Sequence, residues 1–433
     1  MKKKLFVLSM DAMVREDIAY LATKPNFQKI LGKRAEVDKV LTVYPACTYP
    51  AHTSLMTGCY PYKHGVYNNF PVSTWQDGIP HWPTHYTNVY AEDIFAAAKR
   101  AGLTTAGVFW PITACNPNID HVINEYFFYF PGEGDRVEEI FAEQGSDEVA
   151  LQAVKENLHL FPRSVRGSVP TEKLFDAFIM GCTCSLIRNA QPDVILLHNC
   201  LLDSMRHAKG LFGDHITAAL DQTDLWLGDV LSAMEDAGVL EQTDFVLLSD
   251  HGQMEYDTFI HLNILFKEEG LIQLTPDGKL YEWQAFTQAT GPSSMVYLRD
   301  NTNQKLYNRV YNLLQKLQDS GKYHIEKIFT KDELMEKYGQ NGPYSFMVEA
   351  ETGFFFGSKF DNCPTVETGK KSCGHGYLPE KGPQPIFMAH GPSFKEGAVV
   401  ERANIVDVAP TLAATFGQTL SEADGKVLET LLK

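Results

Sequence analysis

The sequence lacks any stretch of about 18 apolar residues, so it contains no candidate for a membrane-spanning helix. It also has no internal repeat, no low-complexity tract and no linker rich in glycine and serine. Basic residues are in deficit, with 38 Lys and Arg against 54 Asp and Glu and a net charge of −16. This charge argues against general attraction to a nucleic-acid polymer or an anionic membrane, but it is compatible with a locally positive, metal-lined site for an anion.

Cysteine is sparse, and the eight cysteines form no CxxC pair. This usage favours reduced thiols in a cytoplasmic protein over a disulfide scaffold. The first residues, MKKKLFVLSMDAM, have the charge and the apolar start of a signal peptide. However, the apolar run Leu5–Met10 is shorter than the roughly 7–15 residues of a signal-peptide core, and Asp11 ends it. We therefore expect a buried strand here and a cytoplasmic location.

The composition is typical of a globular protein, with 44% apolar and 21% charged residues. The length of 433 residues suits about three domain-sized units, or one large α/β domain with a long insertion. Short apolar runs alternate with helical patterns, which predicts a mostly parallel α/β sheet. The predicted strands are 5–10, 105–109, 194–197, 245–249 and 385–389, and the predicted helices are 91–101, 172–189, 216–237 and 409–416.

The region 255–382 has a different pattern, which mixes a helix at 304–320 with short strands such as 295–298 and 353–357. We interpret it as an inserted α+β subdomain. Residues 1–254 would then form the first part of the catalytic α/β core, and residues 383–433 would return to it. The insertion and the loop 71–90, which carries Trp75, Trp82 and Tyr86, are expected to wall the pocket.

Three acidic residues stand at or just after predicted buried strands: Asp11, Asp203 and Asp250. Ligands of open α/β sheets bind beyond the carboxyl ends of the strands, so these side chains are placed at the functional edge. Each one alone is also typical of the N-cap of the next helix. The group of three, two of them accompanied by histidine, favours a binding site.

The neighbours of these aspartates favour a metal site. His207 follows Asp203 by four residues, so both would share one face of a helix, and His251 directly follows Asp250. Mixed Asp and His ligation without thiolate suits Zn²⁺ or Mn²⁺ better than Ca²⁺ or Mg²⁺. His375, between two glycines in CGHGY, is a further candidate ligand, although a histidine in a loop turn would look the same.

Thr48 precedes Pro50 at a predicted helix start, where it is either an N-cap or a nucleophile. Free N–H groups and the positive end of the helix dipole favour an alkoxide and a phosphoryl anion there. Because a threonine hydroxyl is too weakly acidic to attack unaided, metal coordination would have to activate it.

Taken in order along the chain, these motifs resemble the alkaline phosphatase superfamily, and within it the nucleotide pyrophosphatase/phosphodiesterase (type I phosphodiesterase) family. The matching segments run from Leu5 to Gly417: FVLSMDAM, ACTYPAHTSLMTGCYPYKHGV, FWP at 109–111, LLDSMRHAKG, LLSDHGQM, CGHGY, IFMAHGPSF and NIVDVAPTLAATFG. The resemblance implies a three-layer αβα sandwich and a zinc-dependent (or manganese-dependent) hydrolase with two divalent ions.

The resemblance also implies a role for each matching residue. Thr48 would be the nucleophile, and Asn69 would contact a non-bridging phosphate oxygen, with Asn68 as the competitor for that role. One ion would be held by Thr48, Asp11, Asp250 and His251, and the other by Asp203, His207 and His375. Tyr49 would pack on the leaving nucleoside, although ordinary core packing would also explain an aromatic residue there.

The sequence departs from the family at two positions. Arg206 stands where glycine is usual, and His198 stands where the family has the tyrosine that completes the nucleobase slot. His198 is therefore a predicted pocket residue, and its identity affects base recognition more than the phosphodiesterase chemistry.

The predicted substrate is a small phosphorylated molecule, a nucleotide or another phosphodiester, with no nucleic-acid polymer and no membrane as partner. The segment TYPAHTSLMTG keeps the Pro and Thr-Gly spacing of sulfatases, but those enzymes need Cys or Ser where Thr48 stands. The alternatives are a phosphonoacetate-hydrolase-like enzyme that cleaves carbon–phosphorus bonds, a phosphomonoesterase, and a non-catalytic metal-bound binding protein. The intact set of predicted ligands argues against the last. Oligomeric state has no signal in the sequence.

Overall fold

The structure is a computed structural model that describes residues 3–72, 82–128, 132–161, 173–276 and 278–433. The strands are β1 Lys4–Met10, β2 Ala35–Leu41, β3 Thr105–Val108, β4 His121–Ile123, β5 Val194–Asn199, β6 Thr243–Leu248, β7 Met254–Ile260, β8 Ile272–Leu274, β9 Leu280–Trp283, β10 Ala285–Ala289, β11 Ser293–Leu298, β12 Ile325–Thr330, β13 Phe346–Ala350, β14 Phe354–Phe356, β15 Val366–Gly374, β16 Phe387–His390 and β17 Val399–Asn404. The α-helices are Ile18–Leu21, Pro25–Leu31, Thr48–Thr57, Pro61–His64, Ile94–Arg100, Val137–Glu143, Glu148–Asn157, Lys173–Asn189, Leu201–Lys209, Asp214–Asp236, Leu262–Glu268, Gln304–Asp319, Lys331–Tyr338 and Val408–Thr415.

Eight strands form the central sheet, in the order β17-β2-β16-β6-β1-β5-β3-β4. All pairings are parallel except those of β16, which runs antiparallel to both of its neighbours. The strands β6, β1 and β5 lie side by side in the middle and are buried over nearly their whole length. Their continuous apolar sequences follow from burial on both faces. The predicted mostly parallel sheet is confirmed.

Each face of the sheet carries its own apolar core. Along β1, Phe6 and Leu8 contribute to one core, and Leu5 and Val7 contribute to the other. The first core is covered by the helices Pro25–Leu31, Lys173–Asn189 and Asp214–Asp236, and the second by Thr48–Thr57, Ile94–Arg100 and Val408–Thr415. The result is the expected three-layer αβα sandwich.

Three strands of the sheet were not predicted from the sequence: the short edge strand β4, and β2 and β17. The segments AEVDKVL of β2 and VVERAN of β17 lie at one end of the sheet and expose several charged side chains. They lack the continuous apolar run of the central strands, so their composition does not distinguish them from loop segments.

The segment from β7 to β15 lies outside the central sheet. It forms a four-stranded antiparallel sheet (β10-β11-β13-β12), a three-stranded sheet (β14-β7-β15) and a hairpin (β8-β9). Phe286, Val296 and Met347 belong to its core, which also includes Tyr44 and Leu378. The boundaries of an inserted subdomain at residues 255 and 382 stay a prediction.

Within the described ranges, no helix has the length and apolar character needed to cross a membrane. All eight cysteines are free thiols. The cytoplasmic location stays a prediction.

Candidate active site

Three neighbouring strands deliver the predicted acidic side chains to one edge of the sheet. Asp11 follows β1, Asp250 follows β6 after one residue, and Asp203 lies in the first turn of the helix that follows β5. Because β6, β1 and β5 are adjacent and parallel, their carboxyl ends are level. The carboxylates therefore meet at the position where open α/β sheets bind ligands.

The first cluster contains Asp11, Asp250 and His251, all buried, with one ligand atom of each within 4.8 Å of the others. His251 Nε2 lies 3.1 Å from Asp250 Oδ2 and 3.6 Å from Asp11 Oδ1. The Thr48 hydroxyl lies 3.2 Å from the same His251 nitrogen. The structure therefore brings together the four residues that were assigned to one ion.

The second cluster contains Asp203, His207 and His375, again with ligand atoms within 4.8 Å of one another. His207 Nε2 lies 3.3 Å and His375 Nε2 lies 4.0 Å from Asp203 Oδ1. The helix that follows β5 carries two of these residues, whereas His375 comes from the end of β15, outside the central sheet. The next residue, Gly376, has φ of +100°, and a Cβ there would meet the Thr290 carbonyl oxygen, so glycine permits the close approach.

The orientation of the three histidines fits metal ions. In each ring Nδ1 donates to a backbone carbonyl: His207 to Cys373 at 2.8 Å, His251 to Gly252 at 3.1 Å and His375 to Ala46 at 3.2 Å. This arrangement fixes the tautomer and leaves Nε2 as the ligand atom, as in protein metal sites.

The electrostatics of the two clusters also favours the binding of metal ions. Asp11 Oδ1 and Asp250 Oδ2 are buried and accept no hydrogen bond from the described part of the chain. Burial raises the pKa of Asp250 to about 6, and burial together with the charge of Asp250 raises the pKa of Asp11 well above its usual value. Burial also lowers the pKa of His251 to about 4 and that of His375 to about 3, which keeps both rings neutral. Crowded buried carboxylates beside neutral imidazoles suit divalent cations.

Thr48 is the first residue of its helix, and Cys47 occupies the N-cap position without a side-chain cap bond. The Thr48 hydroxyl is therefore not a helix cap. It lies at the wall of a cavity of about 470 Å³ that is also lined by the second cluster and by Asp11 of the first. This volume is within the usual range of small-molecule sites.

Asn69 is oriented by the helix start, because its Oδ1 accepts from the Tyr49 N–H at 2.9 Å. The Asn68 side chain is used within the loop, where its Oδ1 accepts from the Asn69 N–H at 2.8 Å. Of the two asparagines, Asn69 is thus better placed to donate its amide into the cavity.

The first three helix residues differ in the N–H groups that they offer. The Tyr49 N–H is bonded to Asn69 and Pro50 has no N–H, so Thr48 supplies the one remaining N–H of the three.

An aromatic wall, which we define as Tyr49, Phe70, Trp82 and Phe127, closes one side of the cavity. The Trp82 ring lies 4.6 Å from that of Tyr49, 4.5 Å from that of Phe70 and 5.3 Å from that of Phe127, between ring centroids. Trp82 was predicted to wall the pocket, whereas Trp75 lies outside the described residues and Tyr86 does not line the cavity.

His198 lines the cavity but is fully buried, and protein acceptors face both of its ring nitrogens. Its Nε2 lies 3.2 Å from Asp11 Oδ2, and its Nδ1 lies 3.2 Å from Glu125 Oε1 and from the Phe109 carbonyl oxygen. His198 thus holds an acidic residue of the first cluster rather than presenting a free edge to a ligand.

Arg206, the other unusual residue, is also fully buried, and its Nη2 lies 2.7 Å from both carboxylate oxygens of Asp17. It fixes the helix that carries Asp203 and His207 to the segment after β1.

Two supporting residues were missed from the sequence. His52 Nδ1 donates to the Thr48 carbonyl at 2.9 Å, and Gln253 donates to the backbone carbonyl of Asp203 at 3.1 Å. Their positions were the available signal, since His52 follows Thr48 by one helical turn and Gln253 stands two residues after His251.

The family model for type I phosphodiesterase/nucleotide pyrophosphatase matches residues 5–378. The chain belongs to this family. It is 23% identical over 427 residues to ectonucleotide pyrophosphatase/phosphodiesterase family member 3 of Rattus norvegicus, covering 93% of this chain and 41% of the relative. The chain thus spans about two fifths of the length of that relative.

Solved structures of the phosphodiesterase family share the fold. Human ectonucleotide pyrophosphatase/phosphodiesterase 5 has a TM-score of 0.66 at 19% identity, with all of both chains covered. The murine protein, as an inactive threonine-to-alanine variant in complex with AMP, has a TM-score of 0.65 at 18% identity, again over all of both chains. The family to which this chain belongs consists of phosphodiesterases and nucleotide pyrophosphatases, which are phosphoric ester hydrolases.

Proposed function

We propose that the chain is a metal-dependent hydrolase that cleaves phosphodiester or pyrophosphate bonds of nucleotide-like substrates through a covalent phospho-threonine on Thr48. The observation that carries the proposal is the position of the Thr48 hydroxyl. It stands at a helix start, 3.2 Å from His251 Nε2, on a cavity that also borders the second cluster.

The two clusters would hold two divalent ions, Zn²⁺ or Mn²⁺. Asp11, Asp250 and His251, with the Thr48 oxygen, would bind one, and Asp203, His207 and His375 would bind the other. When bound, such ions act as Lewis acids that make a hydroxyl or water nucleophilic at neutral pH and stabilise charge on the attacking and leaving oxygens.

Each protein group would then have its own role in the reaction. Thr48 Oγ1 gives up its proton and attacks phosphorus, forming a P–O bond while the bond to the leaving oxygen breaks, and the departing group carries away the negative charge or takes up a proton. The Asn69 amide, held by its bond to the Tyr49 N–H, donates to a non-bridging oxygen as its negative charge grows. Water then attacks the phospho-threonine, which releases the phosphate monoester and restores the hydroxyl.

A nucleotide-like part of the substrate is supported by the aromatic wall. Trp82, Phe70 and Phe127 border the cavity beside Thr48 and present faces on which a base could stack. The murine relative solved in complex with AMP supports the same substrate class. His198, whose ring nitrogens both face protein acceptors, offers no free edge for a hydrogen bond to a base, which favours recognition by stacking.

A hydrolysis screen tests the proposal. The protein is incubated with Zn²⁺ and, separately, p-nitrophenyl thymidine monophosphate, p-nitrophenyl phosphate, glycerophosphocholine and phosphonoacetate, with the Thr48→Ala variant as the control for contaminating activity. We expect the thymidine diester to have the highest kcat/KM. A preference for phosphonoacetate or for the monoester would move the assignment to a C–P hydrolase or a phosphomonoesterase.

A further inference from the structure

A further group of side chains that could hold a metal ion lies away from the catalytic cavity. His261, Cys363 and Glu367 each offer one ligand atom within 4.8 Å of the others, and none of them lines the cavity. His261 directly follows β7, Glu367 lies near the start of β15, and Cys363 lies in the loop 357–365, which connects β14 to β15.

The imidazole of this group is held in a fixed place. His261 is 2% exposed, and its Nε2 lies 3.1 Å from Glu367 Oε2. A Cβ on Gly357 would stand 2.2 Å from His261 Cε1, so only glycine at this position leaves room for the ring. Cys363 and Glu367 are half-buried, so an ion could reach the group from solvent.

The backbone brings both ends of the loop 357–365 to the same point. The Gly357 N–H donates to the Ile260 carbonyl at 3.0 Å, and the His261 N–H donates to the Thr365 carbonyl at 2.7 Å. The segment that carries Cys363 is therefore closed onto the end of β7 before any ion binds, which reduces the entropic cost of assembling the ligands.

We propose that His261, Cys363 and Glu367 form a further divalent-metal site that fastens the loop 357–365 to the end of β7. The donors are one imidazole nitrogen, one thiolate sulfur and one carboxylate oxygen, a set that suits Zn²⁺ and disfavours Ca²⁺ and Mg²⁺. Three protein ligands leave the fourth tetrahedral position to water.

Lys359 competes with the ion for this site. Its Nζ lies 2.7 Å from Glu367 Oε2, but its side chain is 54% exposed. An exposed ion pair of this kind contributes little to stability, because solvent screens it. The ammonium can therefore move into water when a dication takes its place, and removing this charge should tighten metal binding.

Cobalt substitution separates this site from the catalytic clusters, because the ligands assigned to those clusters include no sulfur. The full-length chain is loaded with Co²⁺, its near-ultraviolet absorption is recorded, and bound metal is counted by elemental analysis. We expect a thiolate-to-cobalt charge-transfer band and one bound equivalent beyond the two catalytic ones. Cys363→Ser should abolish the band and remove that equivalent, whereas Cys115→Ser, which changes an exposed cysteine elsewhere, should change neither.

Two further variants distinguish a specific change in metal binding from general damage to the fold. Glu367→Gln should weaken metal binding at this site about 10-fold or more, and Lys359→Ala should strengthen it, a gain that damage to the fold would not produce. Phosphodiesterase activity should persist in the Cys363→Ser protein. The absence of the band in the wild-type protein, its survival in Cys363→Ser or an unchanged affinity in Lys359→Ala would each overturn the proposal.

Discussion

Replacing Thr48 with alanine tests the proposed mechanism most directly. The change removes one hydroxyl and one methyl group from a side chain that is 5% exposed. The hydroxyl contributes one neutral hydrogen bond, to His251, worth about 0.5–1.5 kcal/mol, and the buried methyl group contributes about 0.8 kcal/mol. Because Cys47 and not Thr48 is the N-cap, no cap bond is lost. We expect the free energy of unfolding to fall by only about 1–2 kcal/mol.

The effect on turnover should be far larger. Without Oγ1 the covalent route is closed, so kcat/KM for p-nitrophenyl thymidine monophosphate should fall at least about 10³-fold, equivalent to about 4 kcal/mol of transition-state stabilisation. Bound zinc, measured by elemental analysis, should be largely retained, because six protein ligands remain. Thr48→Ser should keep appreciable activity, because the oxygen survives.

Thr53→Ala is the matched control. Thr53 is fully buried in the same helix, and its hydroxyl donates to the Tyr49 carbonyl at 2.7 Å, so the substitution deletes the same atoms away from the cavity. It should cost similar stability and leave kcat/KM within about 10-fold of the wild-type value. Near-full turnover by Thr48→Ala with normal metal content would show that a metal-bound water, not Thr48, attacks phosphorus. Equal losses in both variants would show a general effect on the helix.

Three other predictions concern the same site. Exhaustive chelation should abolish activity and lower the melting temperature, because it leaves the buried Asp11 Oδ1 and Asp250 Oδ2 without a bonding partner among the described residues, and Zn²⁺ should restore both; full activity after chelation would refute the two-metal proposal. Asn69→Leu should lower kcat/KM about 10²–10³-fold with little change in stability, whereas Asn68→Leu should chiefly lower the melting temperature; the reverse pattern would give the phosphate-contacting role to Asn68. Trp82→Ala should raise KM for the thymidine diester more than for methyl p-nitrophenyl phosphate, and equal changes would argue against base stacking on the aromatic wall.

The central part of the fold was predictable because burial on both faces forces a distinctive composition. The strands β1, β5 and β6 are continuous apolar runs, and each leads to an acidic residue of the site. The convergence of Asp11, Asp203 and Asp250 follows from parallel pairing alone. The charged β2 and β17 carried no such signal, and the antiparallel direction of β16 depends on pairing partners that are distant in sequence.

The site was predictable in its residues more than in its contacts. The structure brings the predicted ligands into two clusters. The sequence also allowed Thr48 to be an N-cap, but the helix begins at Thr48 itself, one residue earlier than an N-cap at Thr48 requires. His198 lies on β5, whereas its buried partners Asp11 and Glu125 follow the ends of β1 and β4. Such contacts depend on tertiary packing, which no local pattern encodes.

The positions of the predicted metal ligands along the chain determine when each cluster can form during synthesis. Asp11, Asp250 and His251 have all left the ribosome once residues up to the end of β6 and the following turn have emerged, so the first cluster can form early in synthesis. The second cluster must wait for His375, which arrives only after the four-stranded and three-stranded sheets between β7 and β15 have been synthesised. A nascent chain therefore passes through a stage with a half-formed centre, in which Asp203 and His207 are exposed to cellular cations before their third partner exists.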